Sequence, residues 1–325
     1  MKGWVSALRA AAVAVAVLAA NMTAAGAQAD PGYAPNAGIE STYSAPGPWQ
    51  VSERHGADCC DGAGSGYALW YPSALGAGGT RHPVVLWGNG TNAVPDQYAY
   101  LLRHLASWGF VVIATENSFT GSGVAIRESL NYLLDRAADP GSVFFGRLDT
   151  AAVGAIGHSQ GATGVVNALR DAHGAIRTAV PLEIPAQALC SNKPTCADTG
   201  TVGAGSLFFV NGSADAFISP SRQPIPWQAV GLQSNLAYYE ATPPQVPKVW
   251  ATLNGPDHND VQGQPDCAAA SAPCSVGVAG YLGYPTAWLV AQLRGDAAAR
   301  RAFVAGTGEL FRPSPHWSNQ TSSLW

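Results

Sequence analysis

The sequence predicts an α/β domain: a doubly wound, mostly parallel sheet with helices on both faces and no lid. Two observations predict it. Short apolar runs alternate with segments of helical periodicity between residues 67 and 293, the alternation that builds a parallel sheet. Several of those runs lack apolar–polar alternation, as strands buried on both faces do.

In chain order, Lys2 and Arg9 lead into an apolar stretch, residues 10–20, and then into small residues ending at Ala27-Gln28-Ala29. This is the pattern of a secretory signal peptide cut after Ala29. The apolar stretch falls short of the roughly 18 residues a spanning helix needs. Residues 1–29 are therefore expected to be removed and the mature protein to be secreted. Residues 30–47 are rich in Gly, Pro, Ser and Ala without periodicity and read as an extended leader. Residues 48–325 have the length of one α/β domain. Within them strands are predicted at 67–71, 83–87, 110–114, 152–156, 178–183, 206–211 and 248–253. Helices are predicted at 97–107, 123–137, 160–171 and 285–293. In the first helix Leu101, Leu102, Leu105 and Trp108 recur at helical spacing.

Charged residues are 12% of the chain and apolar ones 47%, against a usual charged share of about a quarter. The core is ample and the surface weakly charged. A net charge of −4, more negative once Lys2 and Arg9 leave with the signal, argues against nucleic acid as a partner. A neutral small-molecule or polymeric substrate, a monomeric state and no membrane partner are expected. No Rossmann or P-loop glycine pattern occurs, and no cofactor is expected. In an exported chain the intervals Cys190 to Cys196 and Cys267 to Cys274 predict two local disulfide loops. Cys59 and Cys60 are left to pair with each other or with distant partners. No histidine stands at ligand spacing beside these cysteines, so no metal site is expected.

The chemistry-bearing segment is Gly157-His158-Ser159-Gln160-Gly161, a G-x-S-x-G turn directly after one apolar strand and directly before a helix. Such an elbow holds its serine in a strained conformation at the top of the sheet, so Gly157 and Gly161 must be small and His158 points away. Ser159 is the expected nucleophile. A serine needs a base, and the base needs an orienting acid. In this arrangement the chain order is serine, acid, histidine, each just after a later strand. Asp215 follows the strand at 206–211 and His258 follows the strand at 248–253, so both reach the same sheet edge as Ser159. Glu183, ending the strand at 178–183, is the alternative acid. An oxyanion would need two backbone N–H donors. Gln160, next after the serine, is expected to give one, and Thr91, in the Gly88-Asn89-Gly90-Thr91 turn, the other.

These residues resemble the secreted cutinase-like polyester hydrolases, including poly(ethylene terephthalate) hydrolases, within the dienelactone-hydrolase-like α/β-hydrolases. The resemblance is carried by residues 105–113, by 145–161 around the nucleophile, by Asp215-Ala216-Phe217-Ile218-Ser219-Pro220, and by Asp257-His258. It implies an α/β-hydrolase fold, a Ser159–His258–Asp215 triad, and oxyanion donors at Thr91 and Gln160. The chain differs at Gln160, where the family usually has Met, and at Thr91, where it has an aromatic residue. Pro185-Ala186 stands near the family's substrate-stacking Trp, and the acid loop has one extra residue.

The expected activity is hydrolysis of carboxylic esters, short ones and extended polyesters, through an acyl-enzyme on Ser159. A lipase, an amidase, a carbohydrate acetyl esterase and a noncatalytic secreted binding protein are the alternatives. The site edge is expected from residues 88–95, 118–123, 185–189, 216–220 and 257–261, short segments that leave an open cleft. With Thr91 in place of an aromatic clamp, aliphatic polyesters are expected to be cleaved faster than aromatic ones.

Overall fold

Strand formation follows the apolar runs. The computed structural model describes residues 33–190, 195–222 and 231–325; the expected signal peptide, residues 1–29, lies outside the described residues. The seven predicted strands appear as β2 (Tyr67–Pro72), β3 (His82–Gly88), β4 (Val111–Thr115), β5 (Leu148–His158), β6 (Thr178–Leu182), β7 (Ser206–Gly212) and β8 (Lys248–Leu253). With β1 (Val51–Asp58) and β9 (Trp317–Ser322) they form one sheet in the order β1-β2-β4-β3-β5-β6-β7-β8-β9. Pairing is parallel from β4 through β3, β5, β6 and β7 to β8. It is antiparallel where β2 meets β1 and β4, and where β9 meets β8. This is the mixed, mostly parallel sheet of an α/β-hydrolase.

The helices are α1 (Ile39–Ser44), α2 (Ala99–Ser107), α3 (Val124–Ala138), α4 (Gln160–Asp171), α5 (Asn235–Ala241), α6 (Gly283–Arg294) and α7 (Ala297–Arg301). Alternate strand residues feed two cores. Val85, Trp87, Val112 and Ala251 pack with Leu101 and Leu105 of α2 and Trp288 and Leu289 of α6. Val84, Leu86, Ile113 and Trp250 pack with Ile126 of α3, Val165 of α4 and Tyr238 of α5. Burying each such side chain contributes about 1.5–3 kcal/mol, so the central strands must be apolar on both faces. Trp288 and Trp250 bury their indole N–H groups only because Thr178 and Asn211 accept them, at 2.7 and 3.0 Å.

The structure differs from the sequence reading at the ends of the chain. Within the expected extended leader, Ile39–Ser44 are helical. Glu40 is fully buried and accepts from Tyr33 Oη at 2.5 Å, Asn36 N at 2.6 Å and Trp317 Nε1 at 2.7 Å. Glu309 accepts the Ile39 and Glu40 amides, both at 2.7 Å, the orphan donors of that first turn. Strand β6 stops at Leu182, one residue before the predicted end, so Glu183 lies just beyond the edge. No described helix is long and apolar enough to cross a membrane.

β3 is followed in sequence by β4 on one side and, after α3, by β5 on the other. The order in which strands are added to the sheet reverses between β3 and β5. Ligands of open α/β sheets bind outside the carboxyl ends of the strands at such a switch point.

Candidate active site

Ser159 stands at that point, between β5 and α4. Its φ of 56° lies in the left-handed region that side chains avoid. The tightness around it explains the glycines. A Cβ on Gly157 would lie 2.5 Å from the Gly161 carbonyl oxygen, and one on Gly161 would lie 2.0 Å from that of Gly88. Strand β3 pairs Gly88 with Gly157, so the elbow is clamped against the next strand with no room for a side chain.

His258 Nε2 is 2.8 Å from Ser159 Oγ, and His258 Nδ1 is 2.6 Å from Asp215 Oδ2. All three side chains are buried or nearly so. The Ile218 amide donates to Asp215 Oδ1 at 2.9 Å and the Ser219 amide to Oδ2 at 3.1 Å. Burial pushes the Asp215 carboxyl up, but His258 and these amides outweigh it and hold Asp215 below the usual carboxylate range. The ring therefore carries its proton on Nδ1 and faces Ser159 with a free Nε2 lone pair.

The loop bearing His258 is fastened from below by Asp260 and His158, which the sequence reading placed at the site edge and in the elbow without a part in holding that loop. Asp260 is fully buried. Its two oxygens accept from the amides of Asp257 and Ser275, both at 2.9 Å, of Val276 at 2.6 Å and of Gly277 at 2.5 Å. His158, next to the nucleophile in the elbow and part of the cavity lining, has a task of its own. Its Nε2 donates to the His258 carbonyl at 2.7 Å, while Nδ1 is 3.0 Å from Tyr98 Oη. A carbonyl only accepts, so His158 is protonated on Nε2 and Tyr98 donates to Nδ1. Burial first, and the nearby His258 second, push His158 down to about 3, so it stays neutral. Tyr98 Oη in turn accepts the Gly90 N–H at 3.1 Å. One continuous chain thus runs from the turn after β3 to the loop after β8.

That chain also decides which amides remain open. Gly90 is bound to Tyr98, Asn92 donates to Ser118 at 3.2 Å and Ala93 to Gly90 at 3.1 Å. The Thr91 N–H has no acceptor among the described residues, and Thr91 borders the cavity over Ser159. Gln160 opens α4, so its N–H has no intrahelical acceptor. The Gln160 side chain lines the same cavity, with Oε1 buried and unbonded among the described residues.

The cavity has a volume of about 660 Å³, within the range of small-molecule sites. All five segments expected at its edge contribute, through Gly90 and Thr91, Phe119 and Gly121, Pro185 and Leu189, Phe217 and Ile218, and His258 and Asn259. The sequence reading missed the wall formed by Thr195, Ala197 and Tyr238. Tyr238 reaches it because its hydroxyl donates to the Pro185 carbonyl at 2.8 Å. Cys190 is bonded to Cys196 at this rim and Cys267 to Cys274, while Cys59 is bonded to Cys60.

Glu183, the alternative acid, sits in the same cluster without touching the ring as Asp215 does. Its Oε1 accepts the Gly212 amide at 2.5 Å and the Tyr281 hydroxyl. Among the described residues, Glu183, Asp215 and His258 and, separately, Asp260, Cys267 and Cys274 are close enough to suggest metal binding. In the first group His258 Nδ1–H donates to Asp215, and in the second the two cysteines are joined in a disulfide.

A serine elbow, a buried histidine–carboxylate pair and two open amides on this sheet are the apparatus of an α/β-hydrolase. The chain belongs to the PET hydrolase-like family, whose family model matches residues 24–219. It is also similar to the bis(hydroxyethyl) terephthalate hydrolase of Streptomyces coelicolor, 31% identical over 180 residues, covering 53% of this chain and 56% of that protein. The chain thus spans little more than half the length of that curated relative. Membership in the family implies an ester hydrolase. The stretch matched by the family model holds Ser159, Glu183 and Asp215 and ends before His258.

Proposed function

We propose that the chain is a secreted, monomeric carboxylic-ester hydrolase that works through an acyl-enzyme on Ser159. The observation that carries this reading is the hydrogen-bonded line Ser159–His258–Asp215, at 2.8 and 2.6 Å, opening into the cavity. His258 removes the Ser159 proton as Oγ attacks the ester carbonyl. Asp215 fixes the reactive tautomer and balances the imidazolium charge. The Thr91 and Gln160 amides receive the oxyanion, with the positive end of α4 behind the second. His258 then protonates the leaving alcohol, and water repeats the sequence in reverse.

The substrate reading is refined by the cavity walls. Phe119 follows β4 and Phe217 follows β7, so they stand on opposite sides of Ser159 in strand order. They are 59% and 52% exposed and line the cavity. Aromatic faces missing at Thr91 are thus supplied by other loops, and each is worth about 0.5–1.5 kcal/mol of ring contact. We infer that small esters with an aromatic acid part, of the kind named for the Streptomyces relative, are accepted alongside short aliphatic esters. The carbohydrate, amide and long-chain alternatives gain no specific support from the walls.

Ser159→Ala should reduce hydrolysis of p-nitrophenyl butyrate to background while leaving the folded circular-dichroism spectrum intact. Retention of more than about a hundredth of wild-type turnover would remove Ser159 from the role.

A further inference from the structure

The mechanism leaves one buried ionisable group in the cluster unused. Glu183 is fully buried and has a φ of 51°, in the left-handed region that a glutamate enters only under constraint. Its amide donates to Val210 at 2.9 Å, tying the residue to β7, the strand that leads to Asp215. Its Oε1 is saturated by the Gly212 amide and the Tyr281 hydroxyl, both of which can only donate there. Its Oε2 is buried with no acceptor or donor assigned among the described residues. One oxygen each of Glu183 and Asp215 and a ring nitrogen of His258 all lie within 4.8 Å of one another.

We propose that Glu183 is a positioning residue of this site, held as a neutral acid that donates the proton on Oε2 to the carboxylate of Asp215. The proposal rests on reading Asp215 as the acid that orients His258. Two adjoining buried carboxyl groups cannot both ionise unless a cation stands between them. The titratable groups that face Glu183 are Asp215 from the loop after β7, His258 from the loop after β8, and Tyr281 from the turn before α6, with Asp260 close to Tyr281. None of the four is a lysine or an arginine. Asp215 has His258 and two amides to favour its ionised form, so the shared proton belongs to Glu183. Burial and the Asp215 charge push the Glu183 carboxyl well up, in agreement. The result is a line of four, Glu183 to Asp215 to His258 to Ser159, in which the far acid fixes the direction of the near one and tempers its charge.

The test compares Glu183→Gln and Glu183→Ala in the pH profile of kcat/KM for p-nitrophenyl butyrate, with Ser159→Ala as the blank. Glutamine keeps the Oε1 acceptor and replaces the acid proton with an amide N–H. It should hold kcat within about threefold and leave the acidic limb of the profile in place. Alanine removes the donor and leaves Asp215 a stronger partner for His258. It should move the acidic limb to higher pH and lower kcat about tenfold or more with little change in KM. An ionised Glu183 gives the opposite sign: both variants would then move the limb to lower pH, and that outcome overturns the proposal. Infrared difference spectra of wild type against Glu183→Gln at neutral pH give a second readout. Loss of a protonated-carboxyl band supports the neutral acid, and loss of carboxylate bands overturns it. An unchanged profile in Glu183→Ala would leave a purely structural residue and overturn the positioning role. Hydrolysis surviving in Ser159→Ala would instead overturn the underlying reading of the site.

Discussion

At the residue scale, what was legible in the sequence was the set of groups whose spacing is imposed by a local turn. Gly157 and Gly161 could be read because the elbow leaves no room for a Cβ at either, and Ser159 because it stands between them. Asp215 and His258 could be read because each follows a strand that ends at the same edge. The loss of the Asp215 carboxylate is predicted to cost on the order of 10⁴ in turnover for Asp215→Asn, as a wrong histidine tautomer does in triad enzymes. Glu183→Gln should cost far less, and kcat measured for both variants decides which carboxyl orients His258. Tyr98 and His158 could not be assigned from sequence, because their hydrogen bonds join residues 60 and 100 positions apart. Removing the Tyr98 hydroxyl leaves the Gly90 N–H and His158 Nδ1 unpaired in a dry site. Tyr98→Phe is therefore expected to lose about 1–3 kcal/mol of stability and to lower kcat by loosening both the Thr91 turn and the His258 loop. Denaturant unfolding and initial rates on the same samples test the two effects together.

At the element scale, the buried parallel strands were legible and the edges were not. β2 to β8 announce themselves by apolar runs, whereas β1 (VSERHGAD) and β9 (WSNQTS) are polar edge strands whose pairing is visible only beside β2 and β8. Helix α1 was hidden in a Gly/Pro-rich stretch because what stabilises it is remote: Glu309 supplies the acceptors for its first turn. The short disulfide loops were legible from spacing alone, and Cys190–Cys196 and Cys267–Cys274 are both formed. A loop this short restrains the unfolded chain modestly, so Cys267→Ser with Cys274→Ser should cost no more than about 3 kcal/mol. Asp260 grips residues 275–277, directly after this loop, and Asp257, beside His258, through backbone amides. Asp260→Ala strands several buried donors at once, so it should destabilise by more than the cysteine pair and lower kcat by releasing His258. Denaturant midpoints that rank these two variants the other way would contradict the assignment of Asp260 as the main fastening.

At the scale of the whole molecule, the sheet places β3 and β5 on either side of the switch point, and the cavity follows from that order. The sequence carried the sheet and the location of the site. It did not carry the wall around Tyr238, because that wall depends on a hydrogen bond to Pro185 formed only after folding. Buried titratable groups also set the pH range of the fold. His104 and His158 are pushed down to about 4 and about 3, both by burial first. Their contribution is fully present above about pH 6.5 and is lost as pH falls through their folded values, at about 1.4 kcal/mol per unit each. Glu40 and Glu183 are raised, by burial first. Their contribution is full below about pH 4.3 and is lost as pH rises through their folded values. The two sets oppose each other between about pH 4.3 and 6.5, so stability should be highest within that window and decline on both sides. Glu183→Gln should flatten the alkaline decline; a decline as steep as in wild type would show that Glu183 does not hold a proton in the fold. Acyl transfer through Ser159 is tested by rapid-quench mass spectrometry with p-nitrophenyl butyrate. A butyryl group should appear on the peptide containing Ser159, approaching one per molecule within the burst and disappearing as substrate is exhausted; steady turnover with no acyl group on that peptide, or with the group on another residue, would contradict it.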